Sequence, residues 1–203
     1  MKNRISLLGI IAIVAIIGFS MTACDDGNGS TTGGNTGGNN GGTTYKIGDT
    51  GPGGGIVFYD KGSVSNGWRY LEAAPVNQGT SLKWASYFYE STYITGTESA
   101  IGTGKANTAA ILAVDGNAPA AKACADYRGG GKSDWFLPSK DELNEMYQAR
   151  SHLDISGLFW SSSQSNPNFF AWVQYFLNGY DGDGYQNNGS KNDGYDVRAI
   201  RAF

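Results

Sequence analysis

Residues 25–44 consist only of Asp, Gly, Asn, Ser and Thr, and 8 of them are Gly. A stretch without one apolar side chain cannot bury enough surface to offset the entropy of ordering it, so it reads as a flexible tether. As a Gly-rich coil its r.m.s. span is about 25 Å. Folding is thereby confined to residues 45–203, which hold all 12 Tyr and all 5 Trp. A segment of that length is one domain, able to bury roughly two-thirds of its unfolded surface, and its core should be rich in aromatic rings. Its single thiol is Cys124, so no disulfide forms within it. Small apolar neighbours and no adjacent base make Cys124 a buried structural thiol rather than a nucleophile.

Ahead of the tether stand Lys2 and Arg4, an apolar run over 5–19, the small residues Ser20, Thr22 and Ala23, and then Cys24. A basic start, a short apolar core and small residues at the cut describe a secretory signal. Met21-Thr22-Ala23-Cys24 resembles the lipobox of bacterial lipoproteins. The resemblance implies a signal peptide over 1–23 and a lipidated Cys24 as first mature residue. It also implies a tether over 24–44 and a domain over 45–203 held outside the cytoplasm, in the bacterial cell envelope. Which membrane carries the anchor stays open. Cleavage without lipidation and an uncleaved span over 5–23 are the alternatives, the latter just within the roughly 17–25 residues needed to cross. Two or more acyl chains attach stably where one does not.

The net charge of −3 becomes more negative when Lys2 and Arg4 are removed. The sequence has no Lys/Arg cluster, which argues against nucleic acid as a partner. It also shows no local basic patch for an anionic polysaccharide.

Gly48-Asp49-Thr50-Gly51-Pro52-Gly53-Gly54-Gly55 keeps a Gly-X-Y pattern for only two triplets, too few for a triple helix. It reads as a turn feeding a strand over Ile56-Val57-Phe58-Tyr59. A polar loop over 61–67 and a return strand over 68–73 complete a hairpin. Residues 79–103 read as a long surface excursion with a short strand at Leu82-Lys83-Trp84. Two helical pieces, 107–114 and 118–127, are split by Asp115-Gly116-Asn117. Ser139 followed by Glu142 is a capping box opening a helix that runs to about Arg150, with Leu143, Met146 and Tyr147 on one face. Strands are expected over 158–162, 171–177 and 196–203, and Trp160 and Trp172 are expected in the core. Between the last two strands, residues 178–194 form a long Gly/Asn/Asp/Tyr loop, a kind that is usually functional or disordered.

The order of motifs resembles the Lcl C-terminal domain family, named after a collagen-like bacterial adhesin. The motifs are Gly48 to Tyr59, Ala120-Ala121 with Cys124 before Gly129-Gly130, and Asp134-Trp135-Phe136-Leu137-Pro138-Ser139 with Glu142-Leu143. Phe159-Trp160-Ser161-Ser162-Ser163, Ala171-Trp172 and Val197-Arg198-Ala199-Ile200-Arg201 follow. The resemblance covers nearly all of 45–203. It implies an α+β, C-type-lectin-like fold: two helices packed on twisted antiparallel strands with long loops. The adhesin that names the family is associated with sulfated glycosaminoglycans; this chain lacks both collagen repeats and an evident basic cluster.

Little in the sequence supports catalysis. His152 is the only His, too few for a His metal site or a Ser-His-Asp triad. Gly131-Lys132-Ser133 lacks the earlier Gly of a phosphate-binding loop, since Asp126 stands there. The chain is therefore expected not to be an enzyme and to need no cofactor. Calcium on Asp181, Asp183, Asn187, Asn188 and Asp193 is the minor alternative to solvated turn residues. The positive case is aromatic recognition. Tyr180 and Tyr185 lie among Asp181, Asp183, Asn187, Asn188, Asn192 and Asp193, and Tyr offers a flat apolar face and a hydroxyl at low entropic cost. The expected function is ligand binding of an adhesin type, with a glycan or a protein as ligand. The alternative is a structural or envelope-assembly lipoprotein without a soluble ligand.

Overall fold

The computed structural model describes residues 43–203, so the signal segment, Cys24 and nearly all of the tether lie outside the described residues. The described chain is mixed α+β, with three α-helices and eight strands in two sheets. Strands β1 (Ile56–Ser65), β2 (Trp68–Ala73) and β8 (Ile200–Ala202) form a small sheet in the order β1-β2-β8. Strands β3 (Gly79–Leu82), β4 (Gly157–Gln164), β5 (Phe170–Phe176), β6 (Gln186–Ser190) and β7 (Tyr195–Val197) form the other. Its order is β3-β7-β4-β5-β6, antiparallel except for the β4–β7 pairing.

The first hairpin turns on Asn66 and Gly67, both at positive φ (52° and 80°). A two-residue Asn-Gly turn matches the twist of its flanking strands. It carries β1 on to Ser65, opposite Trp68, where a loop over 61–67 was expected. Those residues are polar because they form an exposed ribbon rather than because they leave the sheet.

The glycine-rich entry wraps the carboxylate of Glu72, which is fully buried. Gly53 N–H and Gly55 N–H donate to it at 2.9 and 3.0 Å, and Arg201 Nη1 pairs with it at 2.9 Å. A Cβ on Gly53 would lie 2.7 Å from Glu72 Oε1 and 2.8 Å from the Trp135 ring, so only Gly fits there.

Helix α1 (Gly104–Val114) starts one turn earlier than expected, and α2 (Pro119–Ala125) opens on Pro119, whose fixed φ suits a first helical position. Helix α3 (Lys140–Gln148) has the expected capping box: Glu142 N–H donates to Ser139 Oγ, and Ser139 N–H donates to Glu142 Oε2 at 2.7 Å. A short 3-10 turn at Arg150–His152 follows. Three helices thus stand where the family resemblance implies two.

Both faces of β4 and β5 are covered. Trp160, Ala171 and Val173 pack with Trp84, Ile111, Cys124 and Trp135 beneath α1 and α2. Phe159 and Phe176 pack with Leu143 and Met146 of α3 and with Leu71 and Ile200 of the small sheet. Trp172 is only half-buried, with the Lys140 ammonium 3.8 Å from its ring centroid, rather than in the core. The last strand expected, 196–203, divides between the sheets as β7 and β8. Buried Arg198 marks the crossing, donating to Asn77 Oδ1, Ala74 O and Asp154 O.

Candidate functional site

The stretch 178–194, expected as one loop, is divided by β6. Edge strands tolerate polar side chains because one backbone edge faces water, which is how Gln186-Asn187-Asn188 can sit in a sheet. The consequence is that the sequence-derived site residues are split between two ends of the β5–β6 hairpin, separated by roughly 20 Å of strand, with Asn187 and Asn188 along the edge between them.

At one end, Tyr180, Asp181 and Tyr185 are exposed and Asp183 is half-buried. Asp183 organises this tip. Its carboxylate accepts from Leu177 N–H, Gly179 N–H and the Tyr147 hydroxyl, and Arg150 lies 3.8 Å away. Desolvation works against its charge, yet those donors and the guanidinium hold its pKa below the ordinary carboxylate range. Asp183 is therefore engaged in holding the turn, while the two Tyr rings stand free of it. Along the edge strand, Asn187 and Asn188 are exposed, and Asn188 Oδ1 accepts from the Ser165 hydroxyl at 2.6 Å.

At the other end, Asp193 accepts from Ser190 N–H within the β6–β7 turn, while Asn192 meets segments that the sequence reading left as plain surface. Tyr87, Glu90, Ser91, Phe169, Ser190 and Asn192 line a depression of about 330 Å³. A second depression, of about 220 Å³, is bounded by Tyr93, Thr97, Gln164, Ser165 and Asn166. Four large rings are exposed here: Phe88 at 85%, Tyr87 at 75%, Tyr93 at 63% and Phe169 at 52%. Tyr87 and Phe88 meet edge to face, with centroids 5.3 Å apart.

These rings stand on a fixed base. The excursion that carries three of them is anchored by Trp84 and Ile94, at 0% and 1% exposure. Trp84 Nε1–H donates to Ser161 O, and the Asp115 carboxylate accepts from Ser86 N–H and Oγ–H. Lys191, fully buried, joins the three segments. Its Nζ donates to Thr92 O at 2.7 Å and Gln164 Oε1 at 2.8 Å, and it lies 4.6 Å from the Trp84 ring centroid. Its backbone N–H donates to Phe169 O, and its carbonyl accepts from Trp84 and Ala85. Burial pushes the Lys191 pKa down to about 8.

Tyr87, Phe88, Tyr93 and Phe169 were missed from sequence. The signal was the aromatic density of Tyr87-Phe88-Tyr89 and Tyr93 within an otherwise Ser/Thr-rich, aperiodic stretch. Elsewhere, Cys124 is buried and desolvation raises its thiol pKa strongly. Among the described residues no three His, Cys, Asp or Glu side chains gather to hold a metal, and no helix is long and apolar enough to cross a membrane.

No family model matches this chain, and no curated protein matches it.

Proposed function

We propose that this chain is a bacterial envelope lipoprotein, anchored through Cys24, whose C-type-lectin-like domain binds a ligand without catalysis. The binding face is the end formed by Tyr87, Phe88, Tyr93 and Phe169 with Ser91, Ser190 and Asn192. One observation carries this reading: the exposed rings of Tyr87 and Phe169 line one small depression and that of Tyr93 another, with Phe88 packed edge to face on Tyr87, on loops pinned from beneath by Lys191. Exposed aromatic patches of this kind, rimmed by polar residues, mark interaction surfaces. The ring faces match the C–H faces of sugars, and the Asn and Ser groups match their hydroxyls, so a glycan is favoured over a protein ligand. The α+β architecture and the motif order of the Lcl C-terminal domain family support the lectin-like assignment.

The test is a broad glycan array probed with the purified protein in calcium and again in EDTA. Glycan binding that survives EDTA is the expected result. A blank array in both conditions would remove the glycan assignment.

A further inference from the structure

A separate cleft lies where the end of the β1–β2 hairpin faces the start of α1. Its volume is about 770 Å³, within the usual range for small-molecule sites. Trp68, Ile101, Phe136, Ala106, Ala109 and Ala202 supply apolar walls. Lys61 and Lys105 supply charge, although they are far apart in the sequence and form no cluster there.

The electrostatics of the cleft run against those of the chain. The protein carries a net charge of −3, yet two lysines line this cleft, and neither forms an ion pair among the described residues. The one carboxylate in its lining, Glu142, is fully buried and already accepts from Ser139 N–H and Gly102 N–H. Lys61 is held in place: its Nζ donates to Ser65 O at 2.6 Å and sits 3.5 Å from the Trp68 ring centroid. At the adjoining start of α1, Thr103 does not cap the helix, because its hydroxyl donates to Ala100 O and Glu98 O. The Glu142 carboxylate, which accepts from Gly102 N–H and lies against Gly104, already faces that helix end, so the positive charge offered to a ligand is that of the two lysines.

We propose that this cleft binds a small organic carboxylate carried on an aromatic or branched apolar body. The carboxylate lies between Lys61 and Lys105, and the body lies against Trp68, Ile101 and Phe136. This site is distinct from the aromatic end and does not depend on it.

The probe is 3-phenylpropionate, titrated into the isotope-labelled protein and compared with 3-phenylpropan-1-ol and with acetate. The readouts are the Trp68 indole N–H and the Ile101 and Gly102 amide signals. The acid is expected to shift these signals saturably and to bind at least tenfold more tightly than either control. Lys105→Gln, at an exposed position, should weaken the acid at least threefold and leave the alcohol unchanged, and Lys61→Gln should weaken the acid at least threefold. Equal binding of acid and alcohol, or no shift at Trp68, Ile101 and Gly102 with the acid in excess, would overturn the proposal.

Discussion

The ammonium of Lys191 lies 2.7 Å from the carbonyl oxygen of Thr92, a residue 99 positions earlier in the chain. The bond closes the excursion bearing Tyr87, Phe88 and Tyr93 onto the β6–β7 turn. Through Gln164 and the Phe169 carbonyl, the same residue holds the β4–β5 turn. A buried cation facing neutral acceptors and an indole is costly to desolvate. Here that cost is met at the point where three loops must keep one arrangement.

A pH dependence follows. Lys191 titrates at about 8 in the folded protein against 10.5 for the ordinary side chain, so between these values the unfolded chain binds more protons. Stability should be level below about pH 8 and rise from there towards 10.5. One pKa unit is about 1.4 kcal/mol. Allowing for screening by solvent around the loops, the expected rise is on the order of 1–2 kcal/mol. Denaturant midpoints of the native chain and of Lys191→Met across this range check it, since the rise should vanish in the variant. An equal rise in both proteins would remove Lys191 as its cause.

The Glu72 carboxylate gathers Gly53, Gly55 and Arg201 at the entry to the domain. Glu72→Gln removes the buried one of Arg201's two carboxylate partners, Asp134 being the other, and weakens the acceptor of the Gly53 and Gly55 N–H groups, so it should cost about 1–3 kcal/mol in chemical denaturation. Gly53→Ala forces a methyl group against Glu72 and Trp135 and should cost about 1–3 kcal/mol. Changes under 0.5 kcal/mol in both would show that this network contributes little to holding the entry turn.

Cys124 is sealed in the core with its thiol held protonated by burial. In a Cys24→Ser background, a thiol-reactive disulfide reagent at pH 8 should label Cys124 only as fast as the domain unfolds. Labelling within the mixing time would mean that the thiol is reachable in the folded state.

The side chains of Tyr87 and Phe169 are exposed and lie outside the buried clusters. Tyr87→Ala and Phe169→Ala should each change stability by less than about 0.5 kcal/mol. Thermal or denaturant unfolding of each variant measures this, and a loss of several kcal/mol would identify the rings as structural.

Local grammar was the legible part of the chain. The capping box of Ser139 and Glu142, the return strand over 68–73, the helix pair split at residue 115 and buried Cys124 follow from near-neighbour rules, and the structure contains them. The Asn66-Gly67 turn was also written locally, but the polar residues before it looked like loop. What local rules do not carry is pairing across long separations. β6 is a strand because β5 offers it an edge, although Gln186-Asn187-Asn188 has poor strand propensity. Arg198 divides the last strand because Ala74, Asn77 and Asp154 meet there. The spatial grouping of the candidate site residues escaped local rules for the same reason. Tyr180 and Asn192 are near in sequence but stand at opposite ends of a hairpin, whereas Tyr87 and Asn192 are far apart in sequence and line one depression.

The most direct measurement is the glycan array repeated with two double variants, Tyr87→Ala/Phe169→Ala and Tyr180→Ala/Tyr185→Ala. The first removes two exposed rings beside the Phe169/Ser190 end of the β5–β6 hairpin and the second two at its tip. Loss of the bound glycans in the first variant, with retention in the second, is the predicted result. Retention in the first and loss in the second would contradict the account and assign recognition to the hairpin tip.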